Sequence, residues 1–501
     1  MSNPSTSKYQ LVIGMEVHAQ LLTESKIFSS DSTHFGNEPN TQVSVITLAH
    51  PGILPKLNKK TVEFAIKMGL ACHSEISRYN IFDRKNYFYP DLPKGYQLTQ
   101  DRTPICKGGF ISITLKDHTK VDVKLNRIHL EEDAGKSIHL ENETDTLVDF
   151  NRAGVPLIEI VTEPCMHTAE EAGAVLSEIR KLVRYLDICD GNMEEGSLRC
   201  DANVSVMLKD AKELGKKVEI KNMNSVRNVQ RAIEHEFERQ VSLLERGGAV
   251  VSETRTFDAA SGKTFGMRTK EELNDYRYFP DPDLSPVIVS EEWLHEIKAS
   301  MPSLPEELFK KFISQYGLPE YDVRVLTESK EMASYFEEVC MASVTLQGFR
   351  TLDEFVNGKG NFKAVSNWVM GPVKSYLNDS NIDFDQFPIN AVALAELINL
   401  VESGKVSHTV ATQRLFGELI TNPGEPPIEI AQRLNLLQES DSSAIQKIIE
   451  DVLREFKPKV DEYKKGKKGL ISMFMGEVMK RSQGKADPKV ANQILLEKLK
   501  D

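Results

Sequence analysis

Cysteine is scarce. Only six of the 501 residues are cysteines, at positions 72, 106, 165, 189, 200 and 340, and no two form a Cys-x-x-Cys pair. That scatter excludes a disulfide-framed fold and a cysteine-rich zinc site, and it suits a reducing cytoplasm. No apolar run approaches the ~20 residues that span a bilayer, so no membrane partner is expected. Residues 1–8 are polar, with no apolar core and little arginine, so neither a secretory signal nor a transit peptide is expected there. A Walker loop, a Rossmann glycine fingerprint and a kinase glycine-rich loop are all missing. Any ATP site must therefore be borne by a sheet. No Cys or Ser with a convincing base partner stands out as a nucleophile.

What is present is a globular balance. With 40% hydrophobic and 27% charged residues, whole-chain disorder is excluded. The length leaves room for about two to four domains. The net charge of −12 hides an asymmetry. Residues 454–500 hold 13 basic and 6 acidic side chains, a net +7, which leaves −19 on the rest. A basic tail on an acidic body suggests a polyanion at one end and cations at the other, although solvated surface charge would also explain it.

Period-two patterns mark strands at 9–21, 121–130, 157–161 and 202–206. Helical spacing marks 169–186 and 225–246, the latter stopped by Gly247-Gly248. Strands and helices do not alternate regularly, so the fold class is α+β with a largely antiparallel sheet. Beyond the Pro-rich stretch 279–286 nearly every segment is helical: 291–300, 305–316, 322–328, 330–339, 362–377 and 391–403. The expected layout is a cradle domain at 1–292, a helical domain at 293–420, a linker at 421–427 and a helical tail domain at 428–501.

Several stretches could carry chemistry. Glu16 and His18 share a strand face and could share a metal. Three consecutive acids, Glu131-Glu132-Asp133, repel one another unless they are solvated or neutralised. Glu159 sits in an apolar run, where a buried carboxylate needs a partner. Arg199, Asp201 and Asn203 share one strand face, and Glu219 and Lys221 share another. If these strands are neighbours, the mixture of acids and cations suits Mg²⁺ and nucleotide phosphates; a solvated face with internal ion pairs is the alternative. In residues 82–97 aromatics, cations and turn-fixing prolines alternate, and Lys85, Tyr87 and Lys94 there could line a substrate channel or belong to a packed structural loop. Lys464, Lys465, Lys467, Lys468, Lys480, Arg481 and Lys485 form basic turns able to grip phosphates regardless of sequence.

Seven stretches in order resemble one family. They are Ile13-Gly-Met-Glu-Val-His-Ala-Gln-Leu, Phe82-Asp-Arg-Lys-Asn-Tyr-Phe-Tyr-Pro-Asp-Leu-Pro-Lys-Gly-Tyr-Gln, His129-Leu-Glu-Glu-Asp-Ala-Gly-Lys and Asp149-Phe-Asn-Arg-Ala-Gly-Val-Pro-Leu-Ile-Glu-Ile, then Glu194-Glu-Gly-Ser-Leu-Arg-Cys-Asp-Ala-Asn-Val-Ser, Glu219-Ile-Lys-Asn-Met-Asn-Ser and Tyr276-Arg-Tyr-Phe-Pro-Asp-Pro-Asp-Leu. Together they resemble the B subunits of the aspartyl/glutamyl-tRNA(Asn/Gln) amidotransferases, over nearly the whole chain.

The resemblance implies ATP-dependent amidation of misacylated Glu-tRNA(Gln) or Asp-tRNA(Asn) through an acyl phosphate. The partners it implies are an amidotransferase A subunit, a glutaminase that releases ammonia, and a small C subunit that holds the other two together. It also implies a cradle similar to glutamine synthetase, and a helical part and tail that hold tRNA. Glu16, His18 and Glu131 match catalytic metal-site positions, and Asp201 and Glu219 join them by the same likeness. Glu159 is added from its own context. Lys85 and Lys94 match ammonia-channel positions, with Tyr87 between them. Arg152, Arg199 and Lys221 are candidates for ATP phosphate contact on charge alone. Many family members carry a zinc site of two cysteine pairs. The corresponding positions here are Ser29 and Asp31, then Ser44 and Thr47, so ATP and Mg²⁺ are the expected cofactors and no structural zinc is expected. A tRNA-binding scaffold without chemistry has no need of five metal-type residues on one face, and a small-molecule amide ligase has no need of the basic tail.

Lacking a paired nucleophile, the isolated chain should release no ammonia from glutamine in a coupled assay. Hydrolysis by this chain alone would require a nucleophile that the sequence does not reveal.

Overall fold

Alternation of apolar and polar residues organises the N-terminal part. A computed structural model describes all residues except 1–7, 141–143, 270–275, 359, 361, 438–441, 483–485, 487 and 501. The strand Tyr9–Gln20 buries Leu11, Ile13, Met15, Val17 and Ala19, while Glu16, His18 and Gln20 point to the other face and stay half-buried. Successive side chains on a strand take opposite faces, so one strand serves both the core and a polar surface.

Tyr9–Gln20 lies in the middle of a ten-stranded sheet. On one side follow Leu198–Leu208, Val218–Met223, Glu253–Asp258 and Lys263–Thr269; on the other, Pro156–Thr162, Lys120–Glu132, Cys106–Lys107 and Glu75–Ile76. Phe110–Thr114 also pairs with Lys120–Glu132. The sheet is mixed: every pairing is antiparallel except that of Val218–Met223 with Glu253–Asp258.

Three helices, Lys59–Ala71, Ala169–Tyr185 and Val226–Glu245, pack with the buried strand positions in one core. Their starts are specified locally. Thr168 and Glu171 form a reciprocal capping box, and Ser225 caps the third helix through the Asn228 amide. Each cap contributes about 1 kcal/mol. With the apolar face covered by helices, the polar face is left for chemistry.

Residues 1–304 form one unit and residues 305–501 a second. The second is helical. The helix expected over 362–377 is interrupted: Phe362–Trp368 and Lys374–Ser380 are α-helical, but Val369–Val373 between them is a π turn containing Pro372. Proline has no N–H to donate and its ring crowds the preceding turn, and a wider turn relieves both. In the expected linker, the helix Phe416–Thr421 ends and Pro427–Arg433 begins, and the latter packs against Ala391–Glu402. Ser442–Glu455, Lys457–Lys464, Leu470–Arg481 and Pro488–Lys500 share a separate core around Ile449, Phe474, Val478 and Leu495. No helix among the described residues is long and apolar enough to cross a membrane.

Gly69 marks a tight helix–sheet contact in the first unit. A Cβ there would lie 2.9 Å from Ile76 Cδ1 and closer still to Cys106 Sγ. Gly69→Ala should lower unfolding stability by about 1–3 kcal/mol, read as a reduced denaturant midpoint; an unchanged midpoint would mean that the contact relaxes freely.

Candidate functional site

Strand register determines which polar residues meet. Glu16 lies opposite Asp201, and His18 lies opposite Arg199 on one side and Glu159 on the other. Glu159 in turn faces His129, and Asn203 faces Glu219. Five strands, distant in sequence, thus put their polar positions on one face.

The acids form two groups. In the first, His18 Nε2 lies 3.3 Å from Glu131 Oε1 and 3.7 Å from Glu159 Oε2, and His129 Nε2 lies 3.1 Å from Glu159 Oε2. In the second, one ligand atom each from Glu16, Asp201 and Glu219 lies within 4.8 Å of the others, as holds for His18, Glu131 and Glu159. Asn203 Nδ2 donates to Glu16 at 3.0 Å, while its buried Oδ1 has no hydrogen-bond partner among the described residues. An orphaned amide oxygen beside three carboxylates is an oxygen donor set of the kind a hard divalent cation takes.

Electrostatics couples the groups. Burial and the neighbouring Glu159, Glu219 and Asp201 push the Glu16 carboxyl up, against the Asn203 hydrogen bond. Burial pulls the His18 imidazole down, but Glu131 and Glu159 outweigh it and lift its pKa to about 9. Burial opposes ionisation of Glu159 too, yet His129, His18 and Lys85 hold it well below the usual carboxylate range.

The three cations expected at phosphates are already paired. Lys221 bridges Asp201 and Glu219, the latter at 3.0 Å. Arg199 meets Asp133 at 3.0 Å and Arg152 meets it at 3.7 Å. Burial opposes ionisation of Asp133, but these two guanidiniums hold its pKa down. Arg152 also donates to the carbonyls of Ala134 and Gly135.

Lys85, Tyr87 and Lys94 lie along a polar chain. Lys85 Nζ sits 4.9 Å from the Tyr276 ring centre and 5.9 Å from that of Tyr87. Tyr87 Oη lies 3.4 Å from Gln97 Oε1, Gln97 donates to the Glu132 carbonyl at 2.8 Å, and Lys94 Nζ meets Glu132 Oε2 at 2.6 Å. Lys94 and Glu132 open onto a small cavity of about 30 Å³, which Lys26, Ser29 and Thr47 also line.

Comparison with known proteins decides the family. Residues 11–295 match the GatB/GatE catalytic domain, and residues 350–499 match the GatB domain. A protein of Thermodesulfovibrio yellowstonii is 46% identical over 494 residues, covering 99% of this chain and 100% of the relative. One from Trichlorobacter lovleyi is 48% identical, covering 98% and 99%. One from Chlorobium limicola is 48% identical with the same coverage. Each is named as the B subunit of an aspartyl/glutamyl-tRNA(Asn/Gln) amidotransferase.

The chain belongs to the amidotransferase GatB family.

In this family member the expected tail residues Lys464, Lys465, Lys467, Lys468, Lys480 and Arg481 are exposed at or just beyond the C-terminal ends of two helices, whereas Lys485 lies outside the described residues. Lys467 pairs with Glu462 at 3.0 Å, and Lys468 Nζ stands 4.2 Å from the Tyr463 ring centre. Cations at helix C-termini also suit the helix dipole. Of the site residues missed from sequence, His129 carried a signal: it lies two positions before Glu131 on an alternating strand. Asp133 and Glu132 were visible only as acids, and Tyr276 and Gln97 gave no sign of their partners.

If the two groups are separate cation sites, Mn²⁺ titration of the protein should resolve both. Asp201→Asn should weaken one by at least roughly tenfold, Glu131→Gln should weaken the other, and the double variant should lose both. A single variant that abolishes both sites would make them one.

Proposed function

We infer that this chain is the catalytic B subunit of a glutamine-dependent aminoacyl-tRNA amidotransferase, working with a glutaminase A subunit and a small C subunit on misacylated Glu-tRNA(Gln) or Asp-tRNA(Asn). The observation that carries this reading is the pair of acid groups on one sheet face of a chain that aligns with amidotransferase B subunits over its length. The work divides as a cradle at 1–292, similar to glutamine synthetase, a helical domain at 293–420, a linker at 421–427 and a tail at 428–501, the helical domain and tail holding the tRNA through its phosphate charge. The compartment is the cytoplasm, in keeping with six free cysteines.

The chemical problem is that a side-chain carboxylate is a poor acceptor for nitrogen. Its oxygen attacks the γ-phosphorus of ATP, the bond to the bridging oxygen breaks, and ADP leaves. Ammonia then adds to the acyl carbon, the carbon–oxygen bond to phosphate breaks, and inorganic phosphate departs. Glu16, Asp201 and Glu219, with the Asn203 amide oxygen, would hold one Mg²⁺, and His18, Glu131 and Glu159 a second. Bound there, Mg²⁺ neutralises charge on the phosphoryl oxygens.

The chain's own residues do the rest. Lys221, Arg199 and Arg152 are held by carboxylates near the acids and supply positive charge for ATP phosphates as those pairs exchange. Lys85, Tyr87 and Lys94 line the route by which ammonia arrives unprotonated. Glu131, buried and in contact with His18, takes the proton that the nitrogen sheds.

In the three-subunit complex, Glu131→Gln should lower ATP-dependent amidation by at least roughly 10²-fold while mischarged tRNA still binds in a filter assay. Unchanged turnover would reject the assignment.

A further inference from the structure

Ser29, Asp31, Ser44 and Thr47, the four positions whose residue types speak against zinc, do come together, but in a different chemistry. Asp31 Oδ2 accepts from Ser29 Oγ at 3.0 Å, from the Ser44 amide at 2.9 Å and Ser44 Oγ at 2.8 Å, and from Thr47 Oγ1. One carboxylate oxygen thus joins two segments that are 13 to 16 residues apart. Three neutral hydroxyls and one carboxylate are a poor donor set for zinc, which takes thiolate and imidazole. The hydroxyls donate to the carboxylate, so their lone pairs do not converge on a shared centre. Burial would raise the Asp31 carboxyl, but the bonds from Thr47, Ser44 and Ser29 hold it below the ordinary range.

The clasp lies where it matters. Residues 29–47 contain no helix and only an isolated bridge, so side-chain bonds, with a few backbone turns, hold their path. Lys26, fully buried, donates to the Gln42 carbonyl at 2.7 Å and the Phe150 carbonyl at 3.2 Å, a second anchor for the same segment. Ser29, Ile46 and Thr47 then form part of the wall of the cavity that Lys94 and Glu132 share.

We propose that Asp31 is a positioning residue, gathering Ser29, Ser44 and Thr47 into a metal-free clasp that sets one wall of the ammonia cavity at Lys94 and Glu132. The role rests on the amidotransferase function proposed for the chain. It predicts a defect in nitrogen delivery and not in activation of the carboxylate.

The experiment uses the three-subunit complex with mischarged tRNA, fed either glutamine or ammonium chloride. Asp31→Ala should lower glutamine-driven amidation by roughly tenfold or more and leave ammonium-driven amidation and glutamine hydrolysis near wild type. Exchanging the acid across the clasp, Asp31→Ser with Thr47→Asp, should restore glutamine-driven turnover, and added zinc should not restore the single variant. If Asp31→Ala fails to fold, Asp31→Asn and the exchange variant make the same comparison. Loss of both activities in parallel, or of neither, overturns the positioning role. About one tightly held zinc per wild-type complex overturns the metal-free clasp. A wild-type complex inert with both nitrogen sources overturns the functional reading itself, and this role with it.

Discussion

Repulsion between carboxylates is the constraint around which the first unit is arranged. Glu16, Glu131, Glu159, Asp201 and Glu219 share one sheet face, and unit charges a few ångströms apart repel strongly once water is partly excluded. In this protein the repulsion is met by cations built into the same face. His18 sits against Glu131 and Glu159, and Lys221 sits between Asp201 and Glu219. Arg199 and Arg152 do the same for Asp133. Burial, with the neighbouring acids, still leaves the Glu16 carboxyl raised. Acids held this close on a folded sheet are an arrangement that a divalent ion relieves.

The helices on the opposite face make that arrangement possible. Leu11, Ile13, Met15, Val17 and Ala19 bury against Val175, Ile179, Val229 and Ile233, so the strand that carries Glu16 and His18 is fixed by apolar packing. Removing roughly 100 Å² of apolar surface from water contributes about 2.5 kcal/mol. Several such side chains on each strand outweigh the cost of holding charged groups close together. Rigidity on one face permits crowded charge on the other, and the chemistry needs the ligands held in place before substrate arrives.

Much of this was legible in the residues. The strand at 9–20, the capped helices at 169–185 and 226–245 and the shared face of Glu16 and His18 follow from local periodicity, because burial on one face imposes it. What could not be read was long-range pairing. Nothing local says that Glu159 will lie opposite both His18 and His129, or that the acids divide into two groups and not one. The strands Glu253–Asp258 and Lys263–Thr269 escaped because their polar residues mask the alternation, and Glu253, Arg255 and Glu236 pair only in three dimensions. The turn at Val369–Val373 escaped because helical spacing does not reveal how Pro372 will be accommodated.

The order of the central strands also has a consequence for biosynthesis. The polar face draws on residues 9–20, 120–132, 156–162, 198–208 and 218–223, which neighbour one another in the sheet although only the last two follow each other directly along the chain. Contacts of such large sequence separation form late, since each must first close a long loop. A nascent chain leaving the ribosome therefore cannot assemble the His18, Glu131 and Glu159 group until residues near 162 have emerged, or the Glu16, Asp201 and Glu219 group until residues near 223 have. Until then its clustered acids are spread over an unpaired polypeptide, where water keeps them apart.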